Sequence, residues 1–94
     1  MNNLGGVLQD LGDLKGSREN LERALGIDEA VYGPDHPSVA RDVNNLGVVL
    51  HALGDLKGAR ENFERALAIL RRVYGEEHSK TQSVLRSLKA LEGD

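Results

Sequence analysis

Residues 44–78 read NNLGVVLHALGDLKGARENFERALAILRRVYGEEH, and residues 2–36 read NNLGGVLQDLGDLKGSRENLERALGIDEAVYGPDH. The two stretches are offset by 42 residues, and 24 of their 35 aligned pairs are identical without a gap. Such agreement is not chance: the chain carries one unit twice, either by recent duplication or by deliberate construction from one unit. A period in this range signals a repeat architecture, in which each unit buries its apolar face against a neighbour.

Within the unit the apolar residues fall at helical spacing. Val39, Val43, Leu46, Leu50 and Leu53 step by four and three, which lines one face of a helix. The first copy offers Met1, Leu4, Leu8 and Leu11 in the same register. Gly54-Asp55 and Gly12-Asp13 then read as a stop, because glycine after the last apolar position ends helices. A second helix follows with Leu56, Ala59, Phe63, Ala66, Leu70 and Val73. On its other face Arg60 and Glu64, Glu61 and Arg65, and Arg18 and Glu22 in the first copy stand four apart, the spacing of helical ion pairs.

Gly33-Pro34-Asp35-His36-Pro37 stops one helix and starts the next, since proline suits a first turn. In the second copy Gly75-Glu76-Glu77-His78 leads to Ser79, with Gln82 three residues on, a capping-box pattern. Leu85, Leu88 and Leu91 mark a last helix. The reading is therefore all-α, with five helices at about 1–11, 14–32, 37–53, 56–74 and 79–92. The chain is one domain over 1–94: repeat 1 at about 1–36, repeat 2 at about 37–78 and a capping helix at about 79–92.

Composition narrows the function. Twelve basic and 15 acidic residues give a net charge of -3, which argues against nucleic acid and anionic membrane surfaces. No apolar run approaches the roughly 20 residues of a spanning helix. There is no cysteine, so thiolate metal sites and disulfides are out. The expected setting is cytoplasmic. His36 and His78 fall at the same place in the two copies, one repeat apart, which suits a capping or packing role better than a metal site. No nucleophile, base or phosphate-loop pattern is present, so no catalytic residue and no cofactor are expected.

The order and spacing of Leu46-Gly47, Gly54, Ala59, Phe63 and Ala66 resemble the tetratricopeptide repeat. Leu4-Gly5, Gly12, Ser17, Leu21 and Ala24 repeat the pattern. The long second helix, with NNLG and YGxxH, is similar to the 42-residue variant in kinesin light chains and bacterial signalling ATPases. The usual first-helix aromatics are Val43 and Leu50 here, and the usual closing proline is missing. The resemblance covers essentially the whole chain. It implies a tandem helix-turn-helix solenoid that binds a partner protein or peptide on its concave, first-helix face. By that resemblance the outward positions are Asn2, Asn3 and Gln9 in the first copy, Arg41, Asn44, Asn45, Val48 and His51 in the second, and Arg86 in the last helix. An asparagine at Asn45's position helps hold a ligand carboxylate in peptide-binding members. Asn44 stands where the lysine of that clamp would be, so a strict carboxylate clamp is not implied. The repeated Asn pair has a second reading, as structural hydrogen bonds between neighbouring helices.

Two features remain. Gly5 and Gly47 sit mid-helix, where glycine costs about 1 kcal/mol against alanine. That points to close helix approach, with Ala59 or Ser17 as the small facing residue. Met1 aligns with Val43, so the first helix lacks counterparts of 37–42, while Lys89 takes the place of Gly47 in the last helix. The expectation is an array cut short at its start and capped at its end, with self-association into a homo-oligomer as the alternative to peptide binding.

Overall fold

The computed structural model describes the backbone of residues 11–93 and the side chains of residues 13–92. Four helices run in chain order: α1 (Leu11–Tyr32), α2 (Pro37–Ala52), α3 (Leu56–Tyr74) and α4 (Ser79–Gly93). Each packs on the next, and the linkers between them are a few residues long, the arrangement of a helical hairpin array. The expected helices at 37–53, 56–74 and 79–92 are present within a residue. The expected helix at 1–11 lies outside the described residues.

The core forms between α2, α3 and α4. Val39, Val43 and Leu50 of α2 meet Ala59, Phe63, Ala66, Leu67, Ile69 and Leu70 of α3, with Val84, Leu88 and Leu91 of α4. Leu25 of α1 packs against its edge. The second-helix stripe differs from expectation at four residues. Leu67 and Ile69 are buried, whereas Leu56 and Val73 at its two ends are exposed. Since α3 packs on both α2 and α4, its buried face is wider than one 3–4 stripe. Of the ion pairs read on the helix surfaces, Arg18 and Glu22 meet at 3.2 Å. Arg65 instead reaches across to Glu29 of α1.

Each of the three linkers carries a glycine at positive φ, and a fourth expected break is not made. Gly54 (φ 92°) ends the linker entry after α2, and Gly33 (φ 90°) and Gly75 (φ 91°) follow α1 and α3. These left-handed conformations favour glycine because it has no Cβ to clash. After Gly54, the Asp55 Oδ1 accepts from the Gly58 N–H at 2.9 Å and caps α3. Gly58 makes room for this, since a Cβ there would lie 2.5 Å from Asp55 Oδ2. The break expected at Gly12-Asp13 is absent: α1 runs through both residues, and a Cβ on Gly16 would meet nothing within 4 Å. LGDLKG is identical at 11–16 and 53–58. Continuous i→i−4 hydrogen bonding is the alternative local solution for that hexapeptide. It is displaced at 53–58, where folding back buries α2 on α3.

The start of α4 also departs from the capping box. Ser79 is its first helical residue, and the cap is His78, whose Nδ1 accepts from the Lys80 N–H at 3.1 Å. Gln82 reaches back to the carbonyl of Glu76 at 2.7 Å instead. His36 caps α2 in the same way, accepting from the Ser38 N–H at 3.0 Å. Each imidazole is stacked on the tyrosine four residues earlier: Tyr32 on His36 and Tyr74 on His78, both with ring centroids 4.3 Å apart. The YGxxH repeat is thus a helix start whose capping ring is clamped in place.

Candidate functional site

A cleft of about 580 Å³ opens between α2 and α4, the two helices that begin successive units. That volume is within the usual range for ligand sites. Pro37, Arg41 and Asn44 line it from α2, Lys80, Ser83 and Val84 from α4, and Leu70 and Tyr74 from the last turns of α3. The helical periods place these groups. Pro37, Arg41 and Asn44 step by four and three along one side of α2, and Lys80 and Ser83 step by three along α4. Their opposite sides hold Val43 and Leu50, and Leu88 and Leu91, in the core.

The cleft has a sign. Its charged lining side chains are Arg41 and Lys80, both cations, in a chain of net charge -3. The Lys80 Nζ stands 5.5 Å from the centre of the Tyr74 ring, which favours a cation over its face. Arg41 is largely exposed and touches Asp28 of α1 and its neighbour Asp42, each at 3.5 Å. Burial, with the Asp28 carboxyl beside it, pushes the Asp42 carboxyl up to about 6, while Arg41 pulls the other way. Asn44 lines the cleft, and its Oδ1 is buried with no hydrogen-bond partner among the described residues. An unpaired buried acceptor is costly, so a turn of the side chain that brings this oxygen to a donor on a bound backbone would be rewarded. Among the described residues this atom makes no interhelical hydrogen bond of the kind read for the asparagine pair.

Among the residues expected to face a partner, Arg41 and Asn44 enter the cleft lining. Asn45, Val48 and His51 are exposed on α2, and Arg86 is exposed on α4, all outside that lining. Asn2, Asn3 and Gln9 lie outside the described residues. Lys80, Tyr74 and Ser83 were not legible as site residues. The repeated Tyr and His of YGxxH were the available signal, because they fix where α4 starts and hence where Lys80 points. Among the described residues no cluster of three or more His, Asp or Glu could hold a metal ion. No described helix is long and apolar enough to cross a membrane.

The glycine in α2 has a different partner from the one expected. A Cβ on Gly47 would lie 2.7, 2.9 and 3.0 Å from three ring carbons of Phe63, so the close neighbour is that ring and not Ala59.

The model of the tetratricopeptide repeat family matches residues 1–72 and, in a second register, residues 40–92. A search of curated proteins finds no match.

Proposed function

From the premise that this chain belongs to the tetratricopeptide repeat family, whose members serve in general as non-catalytic protein–protein interaction modules, we propose that its cleft between α2 and α4 holds an extended segment of a partner protein. The observation that carries this reading is the cleft's lining. A half-buried asparagine, Asn44, whose Oδ1 has no partner among the described residues, shares the lining with two cations, Arg41 and Lys80. Asn44 takes a backbone N–H of the segment, and the cations take an acidic group on it. Leu70, Val84 and the Tyr74 ring supply apolar contact. Asn45, Val48, His51 and Arg86 extend the surface along the same two helices.

The test is panning of a displayed random-peptide library against the chain and against Ser83→Trp, which fills the cleft. Expected are acidic peptides that the wild type retains and Ser83→Trp loses, with amide shifts on binding confined to α2 and α4. Binders that Ser83→Trp retains equally, or shifts centred on α1, would overturn the reading.

A second reading, self-association, rests on one observation. Ile27 of α1 is 57% exposed, whereas its counterpart 42 residues on, Ile69, is 3% exposed. Val31 and Tyr32 continue the exposed strip, and apolar strips of this kind seek partners. Light scattering behind a sizing column, from micromolar to near-millimolar chain, tests it. A constant mass near 10.2 kDa would exclude it.

A further inference from the structure

The seam between α1 and α2 differs in kind from the seam between α3 and α4. At an offset of 42, Asp28, Arg41 and Asp42 correspond to Leu70, Ser83 and Val84. Leu70 and Val84 are buried members of the apolar core. Their counterparts at the first seam are two carboxylates. Asp42 is 3% exposed, and its Oδ2 has no hydrogen-bond partner among the described residues. The side chain of Asp28 is 18% exposed. Arg41 bridges them, its Nη2 3.5 Å from Asp28 Oδ2 and its Nε 3.5 Å from Asp42 Oδ1. Arg41 is also one of the residues that line the cleft. A buried carboxylate with an empty oxygen, facing a second carboxylate, is a place where one proton is worth binding.

We propose that Asp28, Asp42 and Arg41 form a proton-operated latch across the α1–α2 seam, which holds Arg41 back when open to solvent base and releases it to the cleft when a proton binds. In the deprotonated state two negative charges compete for one guanidinium, which is drawn to the seam. When Asp42 takes a proton from solvent, its O–H donates to the Asp28 carboxylate and the hold of Asp42 on Arg41 lapses. Arg41 is then available to an anionic group in the cleft. By linkage, such a group favours protonation of Asp42 by the same factor as protonation favours the group. This regulation rests on the cleft being the binding site; the latch itself does not.

Among the described residues the charges around the set are accounted for. Asp28 faces Asp42 from α1, and Arg41 is the charged group acting on it from its own helix. The arginines that α3 sends toward α1 are engaged elsewhere, Arg65 with Glu29 and Arg72 with Asp35 at 3.1 Å. α4 packs on α3, with Lys80 over Tyr74. The Asp42 carboxyl is raised from 3.8 to about 6, so the folded chain binds the extra proton between those values. The seam's stabilisation by that proton is complete below the lower value and is lost as the pH rises through about 6.

The experiment is a pH titration of the free chain by NMR, following the Asp42 carboxyl carbon and the Arg41 Nε–H. Expected are an Asp42 midpoint near 6 and an Arg41 signal that moves with the same midpoint. Asp28→Asn lowers the Asp42 midpoint by roughly half a unit or more, because a neighbouring charge is removed. Asp42→Asn, a shape match for the protonated acid, removes the step from the Arg41 signal and fixes it at its acid-side position. An Asp42 midpoint in the ordinary carboxylate range overturns the latch. So does an Arg41 signal that ignores the Asp42 titration in the wild type, a result that needs no variant to fold. No cleft ligand enters these measurements. A failed peptide panning with an intact titration therefore condemns only the cleft reading, and the reverse outcome condemns only the latch.

Discussion

Replacing Gly47 by alanine sets two effects of similar size against each other, and the geometry decides between them. Alanine is the better helix former by about 1 kcal/mol, which alone predicts stabilisation. The added methyl, however, would stand 2.7, 2.9 and 3.0 Å from the Cε1, Cδ1 and Cζ atoms of Phe63. Carbon atoms pack at about 3.5–4.0 Å, so the ring must retreat by most of an ångström. It has little room, being 2% exposed between Ala59 and Ala66, which are both fully buried. Overpacking of a tight core costs about 1–3 kcal/mol. Gly47→Ala is therefore expected to destabilise by about 1 kcal/mol net, which lowers the melting temperature of a domain this small by roughly 4–8 °C. The decisive assay is a double-mutant cycle with Phe63→Leu, measured by urea unfolding followed by helical circular dichroism. Leucine is what the first copy carries at this place in the sequence, Leu21. In the Phe63→Leu background the ring is gone, the propensity term is left alone, and Gly47→Ala should stabilise by up to about 1 kcal/mol. The coupling between the two changes is then about 2 kcal/mol. If Gly47→Ala raises stability beside an intact Phe63, or if the cycle shows no coupling, the contact between helix and ring is not what holds glycine there.

Three further outcomes are expected. Thr81 is fully buried with its hydroxyl unpartnered among the described residues, and its counterpart is Val39, so Thr81→Val should stabilise by about 1–2 kcal/mol in the same unfolding assay. His78→Phe keeps an aromatic ring on Tyr74 but removes the acceptor for the Lys80 N–H, and should cost about 1 kcal/mol, whereas His78→Asn should restore the cap; thermal melts of the two variants separate capping from stacking. Asn44→Ala should weaken any cleft-bound peptide by several-fold more than Asn45→Ala, with melting temperatures close to wild type for both, as read by peptide titration calorimetry beside a melt.

The sequence by itself determined the repeat, the helical class and most of the boundaries. Those features rest on short-range rules that act wherever the residues occur. A 3–4 apolar period makes one face of α2 buried, and glycine after the last apolar residue permits the turn at Gly54 and Gly75. The cap was half legible: the matched His36 and His78 pointed to a capping role, but Ser79 with Gln82 competed for the start of α4. The tyrosine stacked on the imidazole, with its Nδ1 turned to the Lys80 N–H, decided it.

Only the tertiary structure decided the rest, and LGDLKG gives the physical reason. The same six residues are helix at 11–16 and a turn with an aspartate cap at 53–58. Local preferences therefore leave both conformations open. The turn wins where it lets Val39, Val43 and Leu50 of α2 pack into one core with α3, a gain from burial that no hexapeptide contains. The same holds for the site. Arg41 and Asn44 could be placed on a helix face from spacing alone. That Lys80 stands across from them, that Ile27 is open where Ile69 is closed, and that Asp28 finds Asp42 where Leu70 finds Val84 all depend on which helices meet. The unit is copied in sequence, but each copy has different neighbours, and burial and charge are set by the neighbours.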